Sequence, residues 1–436
     1  MNYTYKQIWL INYPVMVSLL MEQLINLTDS IFLGHVGKVE LGASALAGMY
    51  YTSIYMLGFG FSLGLQVMIA RQNGEGAYDK IGKTFYQGML FLLLLAVFIF
   101  GFSIFYSPVV LRRLITSDNV YAAVMQYVSW RNYSFLFAFP LLGIRAFFMG
   151  ITRTGILTGN SILMILCNVV LNYMFIFGKT GFPAYGIAGA AMASSLAEGV
   201  ALLSLGMYMY LYTDRKKYGL RFGFEPGLMS RLFKLSVWTM VRSFFCVAPW
   251  FLFFIAIEHL GETDLAAANI VRSVSLLFFV IVNSFATTNI SLVSSLYGAK
   301  EREKIRIVCK RVILLAYVTG LPLILMAFVF SEKVLQFFTD EISVVQVAFY
   351  PLLVMLSTYL LSVPAYVYCN AVIGLGKTRL AFVFQLATIA IYFVYLFSLA
   401  ENDTIPLAVY WTTEQLYVIC LLLFSFGYMK RKEGRL

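Results

Sequence analysis

Charge is what this sequence has least of. Only 12% of its 436 residues are Asp, Glu, Lys or Arg, while 61% are hydrophobic and the mean hydropathy is +0.81. So little charge cannot wrap a core in polar surface, which excludes a soluble globular protein and implies an integral membrane protein. Histidine is nearly absent, at two residues, and the five cysteines, Cys167, Cys246, Cys309, Cys369 and Cys420, are scattered without a CxxC pair. Neither a disulfide framework nor a Cys/His metal site is expected. The alternation of an outer-membrane barrel is missing as well, so the spans are helical, with about 20 apolar residues each. There is no HExxH and no nucleophile constellation, and an enzyme is not expected.

What is present is long apolar runs. Twelve segments stand out, near 8–33, 43–69, 84–106, 121–149, 159–178, 187–212, 233–258, 265–297, 312–330, 344–372, 380–399 and 407–428. The net charge of +11 then has a membrane explanation. Loops and tails on one side carry 23 of the 32 Lys and Arg, the other side carries five, and Arg131, Arg145, Arg242 and Arg272 fall within or beside spans. The positive-inside rule puts both termini in the cytoplasm and makes a nucleic-acid partner unnecessary. The first span is too long for a signal sequence and has no A-x-A site behind it, so it is expected to be retained.

The chain also repeats itself at an offset of 224 residues. HVGKVELGASAL at 35–46 overlies HLGETDLAAANI at 259–270, DKI at 79–81 overlies EKI at 303–305, Pro140 meets Pro364, and GITRT at 150–154 meets GLGKT at 374–378. Each half holds six spans, an even number, so both halves cross in the same sense and form a parallel repeat. The expected organisation is a six-helix lobe over 1–212, a polar cytoplasmic linker over 213–231 and a second lobe over 232–436. Two such lobes around a cleft suit an alternating-access transporter whose substrate site lies near the midplane.

Polar residues inside the spans mark where function would sit. Glu22, Asn26 and Asp29 share one stripe of the first span, Asn168 and Asn172 are four apart in the fifth, and Ser194 and Ser195 precede Glu198 in the sixth. A charge at the bilayer centre costs roughly 2.5 to 3.5 kcal/mol on insertion scales, so Asp29 is a functional candidate by default. A carboxyl group that meets water in one state and not in another can exchange a proton between them. Sodium, a hard cation, would find oxygen ligands at Asp29, Asn168, Asn172 and Ser194. The alternatives are a satisfied structural acid at Asp29 and interhelical hydrogen-bond glue at the amides and the serine.

Several stretches together resemble multidrug and toxic compound extrusion (MATE) transporters of the prokaryotic type. They are the early proline of the first span, DSIFLGHVG with LGASALA after it, the NGEGAYDKIGK loop, NVVLNYMFIFG at 168–178 and GIAGAAMAS at 186–194. The resemblance implies an all-α integral membrane protein of twelve transmembrane helices, in two six-helix lobes related by a parallel pseudo-two-fold axis, V-shaped with a central cleft. It also implies a bacterial inner-membrane antiporter, acting as a monomer without ATP, that exchanges H+ or Na+ for bulky, often cationic, small organic substrates. Asp29, Asn168, Asn172 and Ser194 fall where relatives place the ion-coupling cluster of the first lobe. The family usually has a second acid at the position of Asn172 and commonly Thr at Ser194, so Asp29 becomes the main titrating candidate.

Around that cluster, Glu22, Asn26 and Glu198 are auxiliary candidates, and Pro14 should kink the first helix by removing a backbone donor. Tyr51, Tyr55 and Arg242 are candidates for the substrate cleft, where ring faces would hold a cation at about 0.5 to 2 kcal/mol per contact. Arg242 could pair with Glu22, Glu258 or Glu414, or snorkel to the interface. In the second half the offset turns Asp29 into Phe253, Asn168 into Tyr392 and Asn172 into Leu396, and Cys246 and Ser362 stand where sodium-coupled relatives carry acids. Coupling is therefore expected in the first lobe alone. His35 and His259 occupy equivalent turns and are expected to shape them. AYDKIGKT and AVIGLGKT imitate a phosphate loop without its strand-to-helix setting. The four intramembrane arginines keep open a second reading, a lipid-linked saccharide flippase.

Overall fold

A computed structural model describes residues 3–115, 117–179, 181–257, 260–339, 341–401 and 405–433. The first half comprises α1 (Tyr5–Val36), α2 (Lys38–Glu75), α3 (Tyr78–Leu114), α4 (Asp118–Arg131), α5 (Ser134–Gly150), α6 (Gly155–Phe177) and α7 (Ile187–Tyr212). The second comprises α8 (Pro226–Phe245), α9 (Ala248–Ile257), α10 (Glu262–Gly298), α11 (Lys304–Val329), α12 (Ser331–Gln336), α13 (Ile342–Gly374), α14 (Thr378–Ala400), α15 (Leu407–Tyr410) and α16 (Thr412–Glu433). Among the described residues there is no strand.

Among the described residues eleven helical stretches are long and apolar enough to cross a membrane, two of them joining α8 to α9 and α15 to α16, and α4 with α5 makes a twelfth span bent by 48°. The helices are built inside out relative to a soluble protein. Along α6 the buried stripe is Asn160, Met164, Asn168, Asn172 and Ile176, whereas Leu163, Leu166, Val170 and Tyr173 are exposed. Hydrocarbon accepts the apolar face, and the polar side chains must find partners within the protein.

The chain packs as two compact units, one of Tyr13–Phe244 and the other of Met1–Asn12 with Phe245–Leu436. This division differs from the expected one at the 213–231 linker, because α1 and α8 each pass from one unit to the other. The first turns of α1 belong with α10. Asn12 donates to Ser284 Oγ (3.4 Å) and accepts from Thr288 Oγ1 (3.0 Å), and Trp9 sits 6.4 Å from the ring of Phe285. Conversely, α8 up to Phe244 belongs with α2. Gly64 lies against Ser236, where a Cβ would overlap the Ser236 backbone, so only glycine allows the approach. Side-chain pairing of this kind overrides the order of residues along the chain.

Candidate ion-coupling site

Three helices of the first unit converge on one carboxylate. Asp29 Oδ1 accepts a hydrogen bond from Asn172 Nδ2 at 2.5 Å, and Oδ2 accepts one from Ser194 Oγ at 2.8 Å. Asn172 also donates to Asn168 Oδ1 (3.1 Å), and Asn168 donates to Ser194 Oγ (3.0 Å), which closes a four-membered ring across α1, α6 and α7. Asn168 and Asn172 are fully buried and Ser194 is 3% exposed. The i, i+4 spacing on α6 places both amides on one face, so a single helix supplies two adjacent ring members. Asn172 Oδ1 is buried without a hydrogen bond. Among the described residues no group of three or more His, Cys, Asp or Glu could hold a metal ion.

The other two acids of this interior have a different setting. Glu22, two turns before Asp29 on the same stripe, is ion-paired with Arg145 of α5, which also donates to Ser161 Oγ at 3.4 Å. Glu198, one turn after Ser194 on α7, is held by Arg131 Nη2 at 2.8 Å and accepts a hydrogen bond from Ser134. Asp29 forms no ion pair among the described residues. Of three acids in one membrane bundle, two are neutralised by arginine and one is held by neutral donors alone.

The break between α4 and α5 builds the Glu198 knot. It places Arg131 at the end of one helix and Ser134 at the start of the next, and the Trp130 carbonyl accepts from Ser195 Oγ at 3.2 Å. Asn132, in the break, accepts from Ser103 Oγ at 2.7 Å. A bend at membrane depth is tolerated when side chains satisfy the polar groups it exposes.

The other candidate residues have varied settings. Asn26 is exposed and stands outside the ring. Tyr51 is 8% exposed and used inside the unit, with its hydroxyl 3.0 Å from Ser134 Oγ, its ring stacked on Phe135 at 4.8 Å and the Arg131 guanidinium 4.0 Å from its centroid. Its setting is that of an internal brace. Tyr55 is half-buried and stacks on Tyr51 at 5.9 Å. Arg242 lies in the last turn of α8, while Glu22, the partner considered for it, is taken by Arg145. Pro14 lies inside a continuous α1, two residues past Asn12, the last residue of α1 in the other unit. His35 Nδ1 contacts the Ile31 carbonyl at 2.8 Å, within the last turn of α1. His259 and Glu258 lie outside the described residues. Arg131, Arg145 and Ser134 were not singled out as partners of the acids. The available signal was charge bookkeeping, since arginines and acids buried in the same bundle must largely cancel.

A sequence model of the MatE family matches residues 14–174 and 239–397. The chain is 25% identical over 342 residues to the probable multidrug resistance protein NorM of Neisseria meningitidis serogroup B, covering 77% of this chain and 74% of that one. It is 24% identical over 342 residues to the multidrug resistance protein NorM of Vibrio vulnificus, with the same shares covered. Among solved structures it matches a MOP superfamily transporter from Pyrococcus furiosus with a TM-score of 0.90 at 17% identity, over 99% of this chain and 96% of that one. An outward-facing multidrug resistance MATE family transporter gives the same TM-score, identity and coverage. At that identity the structural likeness concerns the fold.

Proposed function

The chain belongs to the MatE family, and from that premise we propose that it is a secondary active multidrug efflux antiporter of the bacterial inner membrane, with both termini cytoplasmic, exchanging H+ or Na+ for bulky organic cations by alternating access. The observation that carries the coupling role is the setting of Asp29, whose carboxylate is held by Asn172 and Ser194 while Glu22 and Glu198 each have an arginine. An acid already paired with arginine cannot exchange its ion without leaving a buried charge uncompensated. Asp29 has no such constraint.

The ring suggests how an ion would be exchanged. A proton on Asp29 removes the charge that two donors now stabilise. Asn172, turned end for end together with Asn168, presents Oδ1 as acceptor to the new hydroxyl, so the otherwise unused oxygen becomes a partner. Sodium would use the same carboxylate with the Asn172 and Asn168 carbonyls and the Ser194 hydroxyl, an all-oxygen set. A single carboxylate balances a monovalent ion and would leave a divalent one with excess charge in a low-dielectric site. Export follows if ion and drug favour different conformations, because a ligand that binds both states equally shifts nothing. The flippase reading is weakened, since Arg131 and Arg145 are engaged by acids and unavailable to line a basic cleft.

The test is dye transport in oriented vesicles, with pH and sodium gradients imposed separately on the parent and on Asp29→Asn. The variant is expected to fold and to lose gradient-driven transport. Unchanged gradient-driven transport in the variant would remove Asp29 from the mechanism.

A further inference from the structure

The stretch between α7 and α8, residues 213–225, has no part in the coupling scheme, yet it is laid along α3 as an ordered strap. The Tyr218 carbonyl accepts from the Gly82 backbone N–H at 2.8 Å, and a Cβ on Gly82 would overlap the Gly219 carbonyl. Gly219 has φ +56°, which glycine adopts freely, and a Cβ there would overlap the Asp79 backbone. Tyr218 is buried, with its ring 6.1 Å from that of Tyr78. Farther along, Gln87 Nε2 donates to the Gly223 carbonyl at 3.3 Å, and the rings of Tyr86 and Phe222 meet at 6.2 Å. The strap therefore follows α3 from Asp79 and Gly82 to Tyr86 and Gln87, a descent of roughly 6 to 12 Å at the helical rise.

What the strap turns outward is sorted along that descent. Before its deeper end it carries Arg215, Lys216, Lys217 and Arg221, all exposed, and none forms an ion pair among the described residues. Two of these cations are fixed in place, Arg215 by the carbonyl (3.0 Å) and ring (3.6 Å) of Tyr210, and Lys217 by the ring of Tyr78 (4.8 Å). Neither contact cancels charge. The two acids of the strap are otherwise engaged, since Asp214 Oδ1 accepts from the Lys217 backbone N–H at 3.0 Å and Glu225 lies 3.7 Å from Arg231. At the deeper end Phe222 and Phe224 are 72% and 59% exposed. They sit level with the start of the apolar run of α3. Cations above and bare rings below suit a segment lying in the membrane interface, where an apolar face enters about 5–10 Å and the basic residues meet anionic lipid. A soluble acidic partner would account for the cations and not for two exposed rings beside a membrane span.

We infer that the 213–225 strap is a binding surface for anionic phospholipid, whose phosphates lie among Arg215, Lys216, Lys217 and Arg221 and whose acyl chains receive Phe222 and Phe224. Charge bias between loops orients a chain without choosing among lipids. A seated strap adds that choice. The surface belongs wholly to the unit of Tyr13–Phe244 and stands whether or not Asp29 is the coupling acid.

The experiment is photo-crosslinking of the full-length protein in nanodiscs of phosphatidylglycerol and phosphatidylcholine in equal amounts. One lipid or the other carries a diazirine on its acyl chain near the glycerol, and adducts are mapped by mass spectrometry of peptides covering 213–225. Phosphatidylglycerol should label this stretch at least about five-fold more than phosphatidylcholine, and Lys216→Gln with Arg221→Gln should lower that preference at least about three-fold. A second arm uses the parent alone: in about 1 M salt, where the Debye length is about 3 Å, the preference should fall while labelling by phosphatidylcholine persists. Equal labelling by the two lipids would mean ordinary boundary lipid and would overturn the inference. So would a preference that survives both the double substitution and salt. Absence of adducts on 213–225 from either lipid would assign the cations to a soluble acidic partner instead. The salt arm decides the matter even if the double variant does not fold.

Discussion

Glu22, Asp29 and Glu198 are chemically near-identical acids in one bundle, and their neighbours give them different consequences. Removing the charge of Glu22 or Glu198 leaves Arg145 or Arg131 buried and uncompensated, which costs about 3–5 kcal/mol in comparable settings. Glu22→Gln should fall at the low end, about 3 kcal/mol, because the Glu22 side chain is 30% exposed, against 16% for Glu198. Asp29→Asn leaves no cation behind and should cost no more than about 1 kcal/mol. Thermal unfolding in detergent would order the three variants, and a Glu22→Leu, Arg145→Met double variant should recover most of the loss. If Asp29→Asn proved as destabilising as Glu22→Gln, Asp29 would be a structural acid after all. The ring around Asp29 was legible because helical spacing puts Asn168 and Asn172 on one face. The pairing of Glu22 with Arg145 was not, because 123 residues separate them and only tertiary packing brings them together.

The helices extend this logic from single contacts to surfaces. Hydropathy located every span, since each must be apolar over the bilayer thickness. The break at 132–133 escaped it because a bend inside a span changes no residue's hydropathy, and the division of α1 and α8 between units escaped it because packing partners leave no local trace. Two substitutions probe these elements. Pro14→Ala restores the backbone donor for the Leu10 carbonyl next to the point where α1 passes between units. It should leave the unfolding midpoint unchanged or raised while slowing dye export. Export at the parent rate would make Pro14 a fixed structural feature. Gly64→Leu forces a side chain into the Ser236 backbone, so α2 and α8 must separate. Overpacking of this kind typically costs about 1–3 kcal/mol, and the unfolding midpoint should fall accordingly.

At the scale of the whole transporter, the coupling carboxylate sets the charge moved inward per cycle. Asp29 would carry one monovalent coupling ion inward, in exchange for one organic monocation outward. One charge inward for one charge outward is electroneutral. The membrane potential, worth about 2.3 kcal/mol per net charge per 100 mV, would then contribute nothing, and the chemical gradient alone would drive export. A proton gradient supplies about 1.36 kcal/mol per pH unit, so accumulation should rise about ten-fold per unit and no further. In vesicles loaded with tetraethylammonium, clamping the potential to zero with valinomycin and potassium should leave the export rate unchanged. Collapsing the driving ion gradient, with nigericin for protons or monensin for sodium, should abolish it. Export that accelerates with an imposed potential would mean that a second ion moves per cycle, and an exchange of one ion at Asp29 for one organic cation would be too small to describe the transporter.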